Sequence, residues 1–170
     1  MARKITLVTG GQRSGKSTYA EQLALSASNT PVYMATARIW DGEFRERVLA
    51  HQRRRGPEWT NIEEEKFLSR HDMAGRVVLV DCVTLWCTNF YFDCGNDIAA
   101  TATSVTEEFE HLIRQDTEFI FVTNEIGWGG TPVNDVQRHF TDLLGKVNQH
   151  IASRADEVIL MVSGIPVKIK

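Results

Sequence analysis

Five short segments of the chain are apolar at nearly every position, and more polar stretches separate them. They are rich in Val, Ile, Leu and Phe, which is typical of parallel strands that helices cover on both faces. We therefore predict strands at Ile5–Thr9, Pro31–Met34, Val77–Asp81, Phe119–Thr123 and Val158–Ser163.

Between these segments hydrophobic residues recur at helical spacing, which predicts helices at Ser17–Ala27, Glu43–Arg53, Ser104–Arg114 and Asn134–Ala152. The alternation of strands and helices favours a doubly wound α/β fold, a mostly parallel sheet flanked by helices, in a single domain over residues 1–170. Ligands of such folds bind at the carboxyl ends of the strands.

The composition excludes several classes of protein. The chain has 170 residues and a formal net charge of −3, so it lacks the basic character of a nucleic-acid-binding domain. No apolar stretch reaches the roughly 18 residues of a membrane span. The first strand begins at once, so no signal peptide is expected, and three cysteines without framework spacing indicate reduced thiols. We expect a cytoplasmic protein.

The first predicted strand leads into Gly10, Gly11, Gln12, Arg13, Ser14, Gly15, Lys16 and Ser17, and a helix follows. The pattern G-x-x-x-x-G-K-S between a strand and a helix is a phosphate-binding P-loop. Its glycines let the backbone turn its amides inward around phosphate oxygens. Lys16 is expected to reach the β- and γ-phosphates, and Ser17 to bind Mg²⁺. The chain is therefore expected to bind a nucleoside triphosphate.

A second nucleotide signal is the apolar strand that ends in Asp81, the form of a Walker B element. Asp81 is expected to hold Mg²⁺ together with Ser17, although a strand-end aspartate can also cap a turn. Two common subclasses fit poorly. The region after Val122 lacks the guanine-reading motif of small GTPases, and the arginines cluster early rather than in a late lid. The most charged segment, residues 42–65, is expected to pass over the nucleotide site.

Five blocks in combination point to one family: Thr9–Ser17, Tyr33–Ala37, Val122–Gly127, Arg138–Gln149 and Val162–Lys170. The chain resembles the bifunctional adenosylcobinamide kinase/adenosylcobinamide-phosphate guanylyltransferase family, which has a P-loop NTPase-like fold. The resemblance implies phosphorylation of adenosylcobinamide by ATP or GTP. A second reaction then transfers GMP from GTP to that phosphate through a GMP–histidine intermediate.

The resemblance also implies roles for residues outside the loop. His51 matches the family nucleophile, although Ala50 stands where many members carry another histidine, and His51 also has the spacing of a residue packed on an apolar helix face. Matched positions place further residues at the nucleotide: Thr36, Ala37, Arg38, Gln52, Arg53, Arg54, Arg55 and Glu63. The alternative for the arginine run is a solvated basic face. Glu64 and Glu65 leave the register of Glu63 open by one residue.

The expected partners are a corrinoid substrate and nucleotides, with no nucleic acid. The resemblance suggests a homotrimer, in which Trp40, Trp59 and Trp86 would lie at interfaces or at a corrinoid surface. Two alternatives stay open: a P-loop kinase of another small molecule in which His51 is structural, and a nucleotide-binding module without enzymatic activity.

Overall fold

The computed structural model describes residues 3–39, 42–53 and 55–170. Trp40 and Arg54 lie outside the described residues, and so do the side chains of Glu43, Phe44, Arg47, Ala50 and His51. Within the described residues, no helix combines the length and the apolar character that a membrane crossing requires.

Seven strands form one sheet. They are β1 (Lys4–Gly10), β2 (Val32–Ala35), β3 (Thr60–Glu63), β4 (Val77–Asp81), β5 (Glu118–Val122), β6 (Glu157–Val162) and β7 (Ile165–Lys168). Their order in the sheet is β3-β2-β4-β5-β1-β6-β7. All neighbouring pairs are parallel except β6 and β7, which form an antiparallel hairpin.

Helices cover both faces of this sheet. They are α1 (Lys16–Ala27), α2 (Gly42–Arg53), α3 (Val83–Asp93), α4 (Ile98–Leu112) and α5 (Asp135–Arg154), with short 3₁₀ turns at Leu68–Arg70 and Ile126–Gly129. On one face α1 buries Ala20 and Ala24 against β1, β4 and β5. On the other face α3, α4 and α5 surround a larger core that contains Trp86, Phe109 and Leu144.

The predicted fold class, five strands and four helices are confirmed, whereas β3, β7 and α3 were not predicted from the sequence. β3 and β7 are short edge strands whose residues are largely exposed. β3 has one apolar residue in four, and β7 contains Pro166, a residue that argues against a strand in a sequence pattern. In α3 apolar residues stand at consecutive positions, Leu85–Cys87 and Phe90–Phe92, which hides the helical period. The charged segment 42–65 contains α2 and β3.

The expectation that Trp59 and Trp86 lie at an interface or a corrinoid surface is wrong. Trp59 is 7% exposed and Trp86 is 0% exposed. Trp59 packs edge-on against Tyr33, with ring centroids 5.8 Å apart. The indole of Trp86 donates a hydrogen bond to the Lys66 carbonyl at 2.8 Å, which satisfies its buried N–H. Both tryptophans are therefore part of the hydrophobic core.

Candidate active site

The P-loop begins where β1 ends, at a glycine that no other residue can replace without strain. Gly10 has φ +149°, and a Cβ there would lie 2.6 Å from the Met161 carbonyl oxygen of β6. Gly15, at the start of α1, has φ +93°, a conformation that favours glycine. The two motif glycines are therefore required by the shape of the loop itself.

The C-terminal hairpin supports the P-loop from one side. Between β6 and β7 the chain turns through Ser163 at φ 51° and Gly164 at φ 81°. The Gly164 amide then donates a hydrogen bond to the Ser14 carbonyl at 2.9 Å. Since a Cβ on Gly15 would lie only 3.3 Å from the Gly164 Cα, the turn and the loop are in close contact. The block that ends the chain thus helps to hold the phosphate-binding loop.

Lys16 lies against the loop that it follows. Its side chain is buried, and Nζ donates to the Gly11 carbonyl at 2.5 Å and to the Ser14 hydroxyl at 3.5 Å. Burial lowers the pKa of Lys16, while the charge of nearby Asp81 opposes that shift. The ammonium is therefore poorly solvated, and an anion in the loop would be a strong partner for it.

Asp81, the last residue of β4, lies within hydrogen-bonding distance of Ser17, the residue with which it is expected to hold Mg²⁺. The Ser17 hydroxyl donates to Asp81 Oδ2 at 3.1 Å, and the Tyr33 hydroxyl donates to the same oxygen at 2.7 Å. A hydroxyl and a carboxylate oxygen are hard donors that suit Mg²⁺. Among the described residues no group of three or more His, Cys, Asp or Glu could hold a metal alone. Phosphate oxygens and water would have to complete the coordination shell.

Tyr33 connects this carboxylate to the segment after α2. The guanidinium of Arg55 lies 3.5 Å from the centre of the Tyr33 ring, and Arg55 Nε donates to Asn61 Oδ1 at 2.8 Å. Burial, followed by the charge of Asp81, raises the pKa of Tyr33, so its hydroxyl remains a donor. The family block Tyr33–Ala37 predicted no separate role for Tyr33. The available signal was its position two residues before the end of β2.

The other residues predicted at the nucleotide are dispersed. Thr36 is fully buried, and its hydroxyl bonds to the backbone of Cys82, with 2.8 Å to the carbonyl oxygen and 2.9 Å to the amide. Arg38 donates to Glu65 at 2.5 Å and to Asp93 at 2.9 and 3.0 Å. Hydrogen bonds from Arg38 and Lys66 lower the pKa of Asp93. These side chains are already engaged with protein partners.

The structure describes only part of the residues that the family resemblance assigns to the guanylyl reaction, His51–Arg55 and Glu63. The backbone of His51 lies in the last turn of α2. The side chain of His51 and the whole of Arg54 lie outside the described residues. Gln52 Nε2 donates to Glu63 Oε1 at 2.6 Å, which joins the end of α2 to the end of β3. Arg53 is exposed, and Ala37 is partly exposed just beyond β2. The structure thus brings Gln52 and Glu63 together, and it places the Arg55 guanidinium on Tyr33.

Sequence reasoning assigned no role to Glu125, which lies beside the P-loop. The Thr9 hydroxyl donates to Glu125 Oε1 at 3.2 Å, and the Glu125 amide donates to the Gly10 carbonyl at 3.1 Å. The available signal was its place just after a buried strand, where ligands of α/β sheets bind.

The fold and this loop define a P-loop nucleotide-binding protein. Solved structures with the same fold include an ATPase from the type III secretion system of pathogenic bacteria, with a TM-score of 0.59, 13% identity, and coverage of 94% of this chain and 51% of that one. Flagellar accessory protein FlaH from Methanocaldococcus jannaschii has a TM-score of 0.50, 13% identity, and coverage of 99% and 79%. At such identity the likeness concerns the fold alone.

Sequence similarity then identifies the family. Residues 6–169 match the model of the CobU family, described as cobinamide kinase / cobinamide phosphate guanyltransferase. The chain is 40% identical to the bifunctional adenosylcobalamin biosynthesis protein CobU of Escherichia coli K12, over 96% of this chain and 98% of that protein. It is 36% identical to the corresponding CobP of Pseudomonas aeruginosa, over 96% of each. The chain belongs to the CobU family, which confirms the resemblance.

Proposed function

We propose that this protein phosphorylates adenosylcobinamide with ATP or GTP and then transfers GMP from GTP to the product, giving adenosylcobinamide-GDP and pyrophosphate. Membership of the CobU family supports both reactions. The observation that carries the proposal is the Ser17–Asp81 pair beside a complete P-loop, with buried Lys16 in the same loop. These groups suit a triphosphate, the substrate that both reactions share.

In the kinase step the protein's main task is positioning. The loop amides and the positive end of the α1 dipole hold the phosphates, and Lys16 leaves the Gly11 carbonyl to bind them. Ser17 and Asp81 would hold Mg²⁺, and the ion would neutralise the negative charge that develops on the phosphates. The Tyr33 hydroxyl keeps the Asp81 carboxylate in place for that role.

In the guanylyl step His51 attacks the α-phosphate of GTP, and pyrophosphate leaves from the opposite side. A neutral imidazole is a competent nucleophile near pH 7. The corrinoid phosphate then displaces His51, so two in-line displacements give net retention at phosphorus. The hydrogen bond between Gln52 and Glu63 supports this proposal, because it holds the His51 end of α2 near the carboxyl end of β3. The carboxyl ends of the parallel strands lie at the same edge of the sheet, and the P-loop, which follows β1, lies at that edge as well.

The labelling of the protein by GTP tests this function. With α-labelled GTP, wild type should acquire an acid-labile, base-stable label, and His51→Ala should acquire none. His150→Ala is the matched control, because His150 is bonded to Glu110 at 2.9 Å in a helical context away from the loop, and it should label as wild type does. An unlabelled wild type would instead favour a P-loop kinase of another small molecule.

Further properties belong to the same proposal. We propose Mg²⁺ as the metal, a homotrimer as the assembly, the cytoplasm as the compartment, and one domain over residues 1–170. The single seven-stranded sheet supports the last point. Gly10–Ser17 would then serve as a shared triphosphate site for two chemistries, and His51, outside the loop, would distinguish them.

A further inference from the structure

Glu125 lies beside the P-loop, and no step of the proposed function uses it. Its strand, β5, lies between β1, which carries the P-loop, and β4, which carries Asp81. Val122 is the register partner of Val8 on one side and of Asp81 on the other. Glu125 comes three residues later, so it lies beyond the sheet edge, between the loop and the metal-site carboxylate. We propose that Glu125 is the general base of the kinase step; this inference rests on the proposed function.

The backbone before Glu125 is held firmly. The Thr123 amide donates to the Val8 carbonyl at 3.0 Å, and the Glu125 amide donates to Gly10 at 3.1 Å. From the other face, Asn148 of α5, only 6% exposed, accepts from the Thr123 hydroxyl at 2.7 Å and donates to the Asn124 carbonyl at 3.1 Å. A buried and fully satisfied network of this kind fixes one conformation. The carboxylate is therefore preorganised relative to the P-loop.

One oxygen of this carboxylate is available for a substrate. Thr9 donates to Oε1 at 3.2 Å, and no described residue donates a hydrogen bond to Oε2. By contrast, the Asp81 oxygen Oδ2 already accepts from both Ser17 and Tyr33. The 3₁₀ turn after Glu125 exposes the apolar side chains of Ile126 and Trp128, which suits an approaching acceptor with a large apolar surface. Asp81 contacts Ser17 and is assigned to Mg²⁺, so Glu125 is the carboxylate left to bind an acceptor hydroxyl.

The two reactions differ in their need for a base. In the kinase step the acceptor is an alcohol: its oxygen bonds to the γ-phosphorus, its proton passes to Glu125 Oε2, and the bond from γ-phosphorus to the bridging oxygen breaks. The nucleoside diphosphate leaves, and Glu125 later releases the proton to water. In the guanylyl step the acceptor is an ionised phosphate, which carries no proton that must be removed. Glu125 is therefore needed for only one of the two activities.

The experiment measures the two half-reactions separately in Glu125→Gln, which keeps the shape and removes the base. With adenosylcobinamide and ATP, kcat should fall about 10²- to 10⁴-fold, the usual contribution of a general base. In the same preparation, guanylylation by GTP and transfer to chemically supplied adenosylcobinamide phosphate should match wild type. Glu118→Gln is the matched control, since Glu118 lies at the opposite end of β5, and it should keep both activities.

Each outcome is decisive. Retention of kinase activity in Glu125→Gln overturns the assignment. Equal loss of both activities also overturns it, because that result means Glu125 serves the loop, the metal or the fold rather than the acceptor hydroxyl. A wild-type protein that lacks both activities refutes the proposed function itself, which keeps the two failures distinct.

Discussion

We predict that the 2.7 Å hydrogen bond from the Tyr33 hydroxyl to Asp81 stabilises both the fold and the position of the Asp81 carboxylate. Tyr33→Phe removes the donor of a 2.7 Å bond to a carboxylate and leaves the ring in contact with Trp59 and Arg55. A hydrogen bond to a charged group contributes about 1.5–3 kcal/mol. In a chain of this size we therefore expect a melting temperature lower by about 4–8 °C for a loss of about 2 kcal/mol.

Calorimetry of wild type and variant without nucleotide measures this change. Burial and the charge of Asp81 raise the pKa of Tyr33 in the folded protein. The protonated hydroxyl therefore makes its full contribution to the free energy of unfolding below the ordinary tyrosine pKa of about 10, and this contribution is lost as the pH rises above that value. The stability deficit of the variant should therefore be constant near neutral pH and shrink in alkali.

Tyr91→Phe is the matched control for this prediction. Tyr91 is 3% exposed, and its hydroxyl has no hydrogen-bond partner among the described residues, so its loss should change the melting temperature little. If Tyr33→Phe has the same melting temperature as Tyr91→Phe and wild type, the hydrogen bond does not stabilise the fold and the reasoning is refuted. If Asp81 also holds Mg²⁺, the Mg²⁺ concentration for half-maximal activity should rise about 10-fold or more in Tyr33→Phe only.

Three further changes test other contacts. Gly10→Ala should abolish nucleotide binding in calorimetric titration, because its Cβ would lie 2.6 Å from the Met161 carbonyl oxygen; wild-type affinity would contradict this. Asn148→Ala leaves the Thr123 hydroxyl and the Asn124 carbonyl without their partner, so urea unfolding should show a loss of about 2–4 kcal/mol, and a loss within error would be inconsistent with it. Asp93→Asn should lower the urea midpoint at pH 7, and by less at pH 2. Hydrogen bonds from Arg38 and Lys66 lower the pKa of Asp93, so its stabilising contribution is complete above about 3.9 and decreases as the pH falls through the lowered pKa. An equal loss at both pH values argues against this prediction.

The sequence was most informative where local chemistry decides the structure. The strand–loop–helix around Gly10–Ser17 and the carboxylate at Asp81 were predictable because phosphate binding needs those residue types in that order. Tyr33 and Glu125 lie in family blocks near strand ends, but neither was predicted as a site residue. Their contacts with Asp81 and with the P-loop depend on which strands are neighbours in the sheet. Strand order follows from the packing of the whole chain and has no local signature.

The same limit explains the errors on tryptophan. Trp59 and Trp86 were placed at surfaces, yet their burial depends on contacts from Tyr33 and Lys66, which are distant in sequence. Likewise Arg38 is a plausible phosphate ligand by position, and only the fold reveals that Asp93 faces it. Contacts between residues that are far apart in the sequence could not be predicted from local patterns.

The central claim is that one P-loop serves two reactions that His51 separates. Its most direct test is the corrinoid product formed from adenosylcobinamide and GTP by three proteins, separated by chromatography. Wild type should give adenosylcobinamide-GDP, His51→Ala should stop at adenosylcobinamide phosphate, and Lys16→Ala should return the substrate unchanged. Formation of adenosylcobinamide-GDP by His51→Ala, or transfer of GMP by Lys16→Ala to supplied adenosylcobinamide phosphate at the wild-type rate, would contradict the claim.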